Sequence, residues 1–127
     1  MIGIALLVAG ASAAAHGQSP AFAGTWDGHA FVNDTAVTAL TLVATPHGTG
    51  WTLAYGAGAP IATRVLAAGG DSVVTESGPY ASTRRRGQTV LTRVVWHVHG
   101  DTLTGTFEAA YSVAGVTRGR MEATRRR

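Results

Sequence analysis

The stretch TVLTRVVWHVHGDTLTGTFEAAY, residues 89–111, decides the fold. Val90, Val94, Trp96 and Val98 fall on one side of its first half, and Arg93, His97 and His99 fall on the other. A period of two marks a strand with one apolar and one wet face. Gly100-Asp101 then interrupts the run with a pair suited to a tight turn. Leu103, Phe107, Ala109 and Tyr111 resume the alternation on the return, so the stretch predicts a long antiparallel hairpin.

The same alternation extends outward in both directions. Upstream, Ile61–Leu66 and Ser72–Glu76 flank the turn signal Gly69-Gly70-Asp71. Before them, Trp51, Leu53 and Tyr55 alternate in a short run, stopped by the segment 56–60 with its glycines and proline. Thr38, Leu40, Leu42 and Ala44 precede the turn sequence Thr45-Pro46-His47-Gly48-Thr49-Gly50, and Thr25–Val32 places Trp26, Gly28, Ala30 and Val32 on one side. Downstream, Val116–Thr124 sets Arg118, Arg120 and Glu122 against Gly119, Met121 and Ala123. No run from Pro20 onward has the period of an amphipathic helix. The expectation is an all-β domain, a single antiparallel up-and-down meander of about eight strands, most simply closed into a barrel that leaves no exposed edges.

Ahead of this pattern the chain is different in kind. Residues Ile2–Ala15 form an uncharged apolar run ending in small residues, and both Ala11-Ser12-Ala13 and Ala13-Ala14-Ala15 fit a small-x-small cleavage rule. No basic residue precedes the run. Fourteen residues of helix span about 21 Å, short of the roughly 30 Å apolar core of a bilayer. Residues 1–18 are therefore expected to be a signal peptide or a retained apolar segment, and residues 19–127 a single domain. The compartment this implies is the bacterial periplasm or the outer face of the cytoplasmic membrane.

Composition narrows the chemistry. The absence of cysteine excludes disulfides, thiolate metal sites and a cysteine nucleophile. All ten basic residues are arginine and all lie from Arg64 onward. Residues 1–63 carry only Asp27 and Asp34, whereas the remainder sets ten arginines against five acids. In an exported protein such a basic half points to an acidic protein surface or to peripheral contact with anionic lipid, not to nucleic acid. It is also compatible with a plain solubilising surface.

Gly24-Thr25-Trp26 at the head of the first strand resembles the Gly-x-Trp opening of the lipocalin and avidin group of barrels. The strand layout also resembles that of small exported bacterial β proteins. The resemblance implies a tryptophan closing the base of the barrel, with an arginine of the last strand packed across it, for which Arg118 or Arg120 is the candidate. The Thr-Asp-Tyr turn of lipocalins is absent. The resemblance rests on one short motif and the strand count and carries no ligand across. The inward faces hold few large side chains, Trp26, Trp51, Trp96 and Phe107 among them, and these are the cavity candidates if the barrel leaves room for one small ligand.

Four groups of residues carry any other chemistry. His97 and His99, two apart on a strand, share a face and are candidate metal ligands if Asp101 or Glu108 supplies a third; otherwise they belong to a solvated face. His29 and His47 read as surface histidines. Gly70-Asp71-Ser72 reads as a turn and not a nucleophile elbow, since a strand follows it and not a helix. Arg84-Arg85-Arg86 is a basic loop able to clamp phosphate or carboxylate, with Arg118 and Arg120 as further partner or anion contacts, while Arg125–Arg127 reads as a frayed tail. Should the two arginine runs share one end of the barrel, they would form a single electropositive rim.

No pair of carboxylates has a spacing that suggests acid and base roles. The sequence therefore predicts no enzyme and no cofactor. The leading expectation is a non-catalytic exported interaction or structural domain, a periplasmic accessory subunit of a larger membrane-associated complex. The alternative is a lipocalin-like carrier of a small apolar ligand.

Overall fold

The computed structural model describes residues 17–113 and 115–127. The apolar run Ile2–Ala15, expected to act as an export signal, lies outside the described residues. A single turn of 3-10 helix, Pro20–Phe22, is followed by eight strands: β1 (Gly24–Val32), β2 (Thr35–Ala44), β3 (Trp51–Tyr55), β4 (Ile61–Gly69), β5 (Ser72–Ala81), β6 (Thr89–His99), β7 (Thr102–Tyr111) and β8 (Val116–Arg125). Each pairs antiparallel with the next, and β8 pairs back with β1, giving a closed up-and-down barrel. The all-β meander expected from the alternation is the fold.

Odd-numbered strands run from what we call the base to the mouth, and even-numbered strands return. The turns at 45–50, 70–71 and 100–101 therefore sit at the base, and those at 33–34, 56–60 and 82–88 at the mouth. The first mouth turn is the tightest. Asn33 and Asp34 both take positive φ, 51° and 63°, as a two-residue hairpin between right-twisted strands requires. At the seam, a side chain at Gly28 would collide with the Glu122 carbonyl and the Ala123 backbone, so glycine lets β1 close onto β8.

The lower barrel is filled by the three tryptophans. Trp26, Trp51 and Trp96 are buried, and each indole N–H has an acceptor, as burial of a polar group demands. Trp26 Nε1 donates to the Phe22 carbonyl at 2.8 Å, Trp51 Nε1 to the Thr45 carbonyl at 3.2 Å and Trp96 Nε1 to Thr75 Oγ1 at 3.0 Å. Room for the Trp96 indole comes from Gly105, its cross-strand partner, where a Cβ would stand 3.0 Å from the ring. The turn Pro20–Phe22 plugs the base, and the Phe22 ring lies 6.0 Å from that of Trp51.

The arginine that closes this base is Arg125, not Arg118 or Arg120. Its guanidinium lies 4.3 Å from the Trp26 ring centroid. It also donates to the carbonyls of Ala23 (2.6 Å) and Ala21 (2.7 Å) and to Asp101 Oδ1 (2.9 Å). The reason is parity. Arg125 continues the inward series Gly119, Met121, Ala123, whereas Arg118 and Arg120 belong to the outward series. Nor is the carboxyl end frayed. Arg126 donates twice to Asp27, at 2.7 Å each, and its amide bonds the Thr25 carbonyl.

Candidate functional site at the barrel mouth

The outer wall is a neutralised surface. Cross-strand register sets Arg118, Glu108, Arg93, Glu76 and Arg64 side by side on β8, β7, β6, β5 and β4, a ladder of alternating charge. Arg64 and Arg93 both reach Glu76, at 2.8 and 2.9 Å, and Arg118 reaches Glu108 at 2.9 Å. Hydrogen bonds from Arg64 and then Arg93 hold the Glu76 carboxyl below its usual range. Asp27 is lowered chiefly by the hydrogen bonds from Arg126. Arg120 lies over the Phe31 ring at 4.2 Å and pairs with Asp34 and Glu122, while Asp101 takes Arg125 and Arg127. Arg118 and Arg120 are thus engaged within the sheet.

The two arginine runs lie at opposite ends of the barrel, because β8 descends to the base whereas the 82–88 turn crowns the mouth. They do not form one rim. At the mouth the loop is braced from within. Ser82 Oγ accepts the amides of Arg84 and Arg85, Ser82 N donates to the Gln88 carbonyl, and Gln88 N donates to the Arg85 carbonyl. The Arg85 guanidinium sits 3.9 Å from the Tyr111 ring centroid. Arg84 and Arg86 are exposed, and among the described residues no carboxylate pairs with either.

Beneath this loop the protein's three tyrosines meet. Tyr55, Tyr80 and Tyr111 stand at or next to the mouth ends of β3, β5 and β7. The rings of Tyr55 and Tyr80 stack at 6.0 Å, and the Tyr80 hydroxyl lies 2.7 Å from Thr92 Oγ1. Burial, reinforced by Tyr80, pushes the Tyr55 phenol well above the ordinary tyrosine range. The tyrosines surround a recess of about 60 Å³ that reaches down to Ala30, Phe107 and Met121. Of the four cavity candidates only Phe107 lines it; the three tryptophans are packing below. A larger hollow, about 590 Å³, lies on the outer wall over β2, β1, β8 and β7, bordered by Asp27, His29, Thr104 and Glu122. Both of its acids are already held by arginines.

His97 and His99 do share the outward face of β6, as their spacing implies. His97 Nδ1 lies 2.8 Å from Ser72 Oγ, and the register partners of the two histidines on β7 are Thr104 and Thr102. Asp101 and Glu108, the carboxylates considered as a third ligand, are paired with arginines. Among the described residues no group of three histidine or carboxylate side chains is placed to hold a metal.

Compared with known proteins, the chain matches no family model, no curated protein and no solved structure. The barrel and its closure by Trp26 and Arg125 are compatible with a lipocalin-like architecture on geometry alone. The tyrosine cluster was not singled out from the sequence. Its signal was positional, since each tyrosine falls at or beside the upper end of a base-to-mouth strand.

Proposed function

We propose that this lipocalin-like barrel is a non-catalytic, exported interaction domain, a periplasmic accessory subunit of a larger membrane-associated complex, and that its mouth meets a protein partner. The observation that carries the reading is the distribution of charge compensation. Seven arginines, from Arg64 and Arg93 to Arg125, Arg126 and Arg127, close ion pairs with acids of their own chain. The guanidiniums of Arg84 and Arg86 are left over, on a braced loop at one end. Unsatisfied, fork-shaped donors on a stiff loop are what recognition of carboxylates uses.

The other readings gain less from the structure. Pockets that hold small ligands have roughly 300–1,000 Å³, whereas the recess inside the barrel holds about 60 Å³ and the hollow of about 590 Å³ lies on the outer wall, open to solvent. A carrier would have to expel side chains to load. Six of the seven acids are bound to arginine, which leaves little for acid and base work.

The test is recovery of the tagged full chain from solubilised membranes of its own host at low and high salt. A stoichiometric protein partner at low salt, released at high salt, is the expected result, because exposed charge contacts are screened within about 10 Å at 0.1 M salt. Recovery of the chain alone in both conditions would remove the proposal.

A further inference from the structure

The mouth is not only basic. Val113, past the end of β7, and Val116, at the head of β8, are two of the exposed large apolar side chains among the described residues, 64% and 48% exposed. They are tied to the arginine loop. Ser112 N donates to the Thr89 carbonyl, Thr89 N to Ser112 Oγ, and Val113 N reaches Gln88 Oε1. A side chain at Gly115 would stand 3.3 Å from the Arg85 guanidinium. Two loops, one presenting uncompensated guanidiniums and the other bare valines, therefore form a single rim.

Resting on the interaction reading above, we infer that this rim binds an acidic polypeptide segment that also carries apolar side chains, its carboxylates on Arg84 and Arg86 and its apolar groups on Val113 and Val116. Charge complementarity selects the carboxylates, since no acid of this chain occupies those arginines. The alternative occupant of a basic and apolar rim is an anionic membrane. The charge of the mouth argues against it. Of the other mouth turns, that at 33–34 carries the exposed Asp34 and that at 56–60 carries no charge. The positive charge is therefore local to the 82–88 loop and is not spread over a face that a bilayer would meet.

The probe is a short peptide alternating glutamate and leucine, titrated against the full chain, with a lysine–leucine peptide and phosphatidylglycerol vesicles as the other arms. The wild type binds the glutamate peptide and neither of the others. R84S/R86S weakens that binding about tenfold or more, V113S/V116S about threefold, and R118S, whose arginine serves the outer ladder, leaves it unchanged. All four substituted side chains other than Arg118 are exposed, so thermal midpoints stay at the wild-type value. Equal binding by R84S/R86S and wild type, or no binding of the peptide by the wild type, overturns the inference. Vesicle binding without peptide binding overturns it in favour of the membrane. Recovery of a partner from membranes alongside any of these results would leave the interaction reading standing and only its location and chemistry refuted.

Discussion

Arg125 lies over Trp26, its guanidinium carbon 4.3 Å from the indole centroid, while its nitrogens hold the carbonyls of Ala21 and Ala23. The two residues are direct cross-strand partners in the β1–β8 seam. One side chain therefore joins the last strand, the first strand and the plug at the base.

Removing that side chain is expected to be felt by the whole barrel. Arg125→Ala leaves two carbonyls and an indole face without their partner and should cost about 1–3 kcal/mol in urea unfolding. Arg125→Lys should recover less than half of this, because an ammonium cannot span both carbonyls and the ring. Full recovery by lysine would mean that charge alone matters at this position.

Trp96 depends on two unlike neighbours. Thr75→Val keeps the shape but orphans the buried indole N–H, for a predicted loss of about 1–3 kcal/mol. Gly105→Ala keeps the hydrogen bond but crowds the ring, for a similar loss. Trp96→Ala should cost about 3–5 kcal/mol. Denaturation midpoints of the three variants, with Trp96 fluorescence in the first two, check the ranking.

Acid should weaken the barrel through Glu76 and Asp27. Both folded carboxyls keep their charge below the ordinary range, Glu76 through Arg64 and Arg93 and Asp27 through Arg126. The stability they add is fully present above the unfolded-state pKa, around 4, and is withdrawn as pH falls through the lower folded value. In E76Q/D27N the pH dependence below about pH 4.5 should flatten. An unchanged slope would show that these pairs are not the linked groups.

At the alkaline end the mouth should respond. Tyr55 is held protonated by burial and by Tyr80, so its folded pKa exceeds the unfolded value of about 10. Its contribution is present below that value and lost as pH rises toward the folded one. Ultraviolet titration should show a phenol ionising above the ordinary tyrosine range, and Tyr55→Phe should remove that step.

Much of the fold was legible because alternation and tight turns coincided. β3 and β6 begin and end where the period of two does, each bounded by turns that contain glycine. β5 runs five residues past its apolar pattern because a bulge between Ser77 and Tyr80 absorbs Gly78 and Pro79, which read locally as a loop. The site was less legible. Arg125 looked like tail because three consecutive arginines have no period, and only the register with Trp26 gives it a place. The tyrosines are 25 and 31 residues apart along the chain, and only barrel closure brings them to one end. That Arg84 and Arg86 have no acid among the described residues depends on the ion pairs of seven other arginines, which no local pattern encodes.

The most direct test of the mouth as the contact face is photo-crosslinking in the native host, with a photoreactive residue at Thr83 beside the arginine loop or at His47 in a base turn. The account predicts a discrete protein adduct from position 83, absent from position 47 and lost when Arg84 and Arg86 are replaced by serine. Adducts of equal yield from both ends, or from position 47 alone, would contradict it.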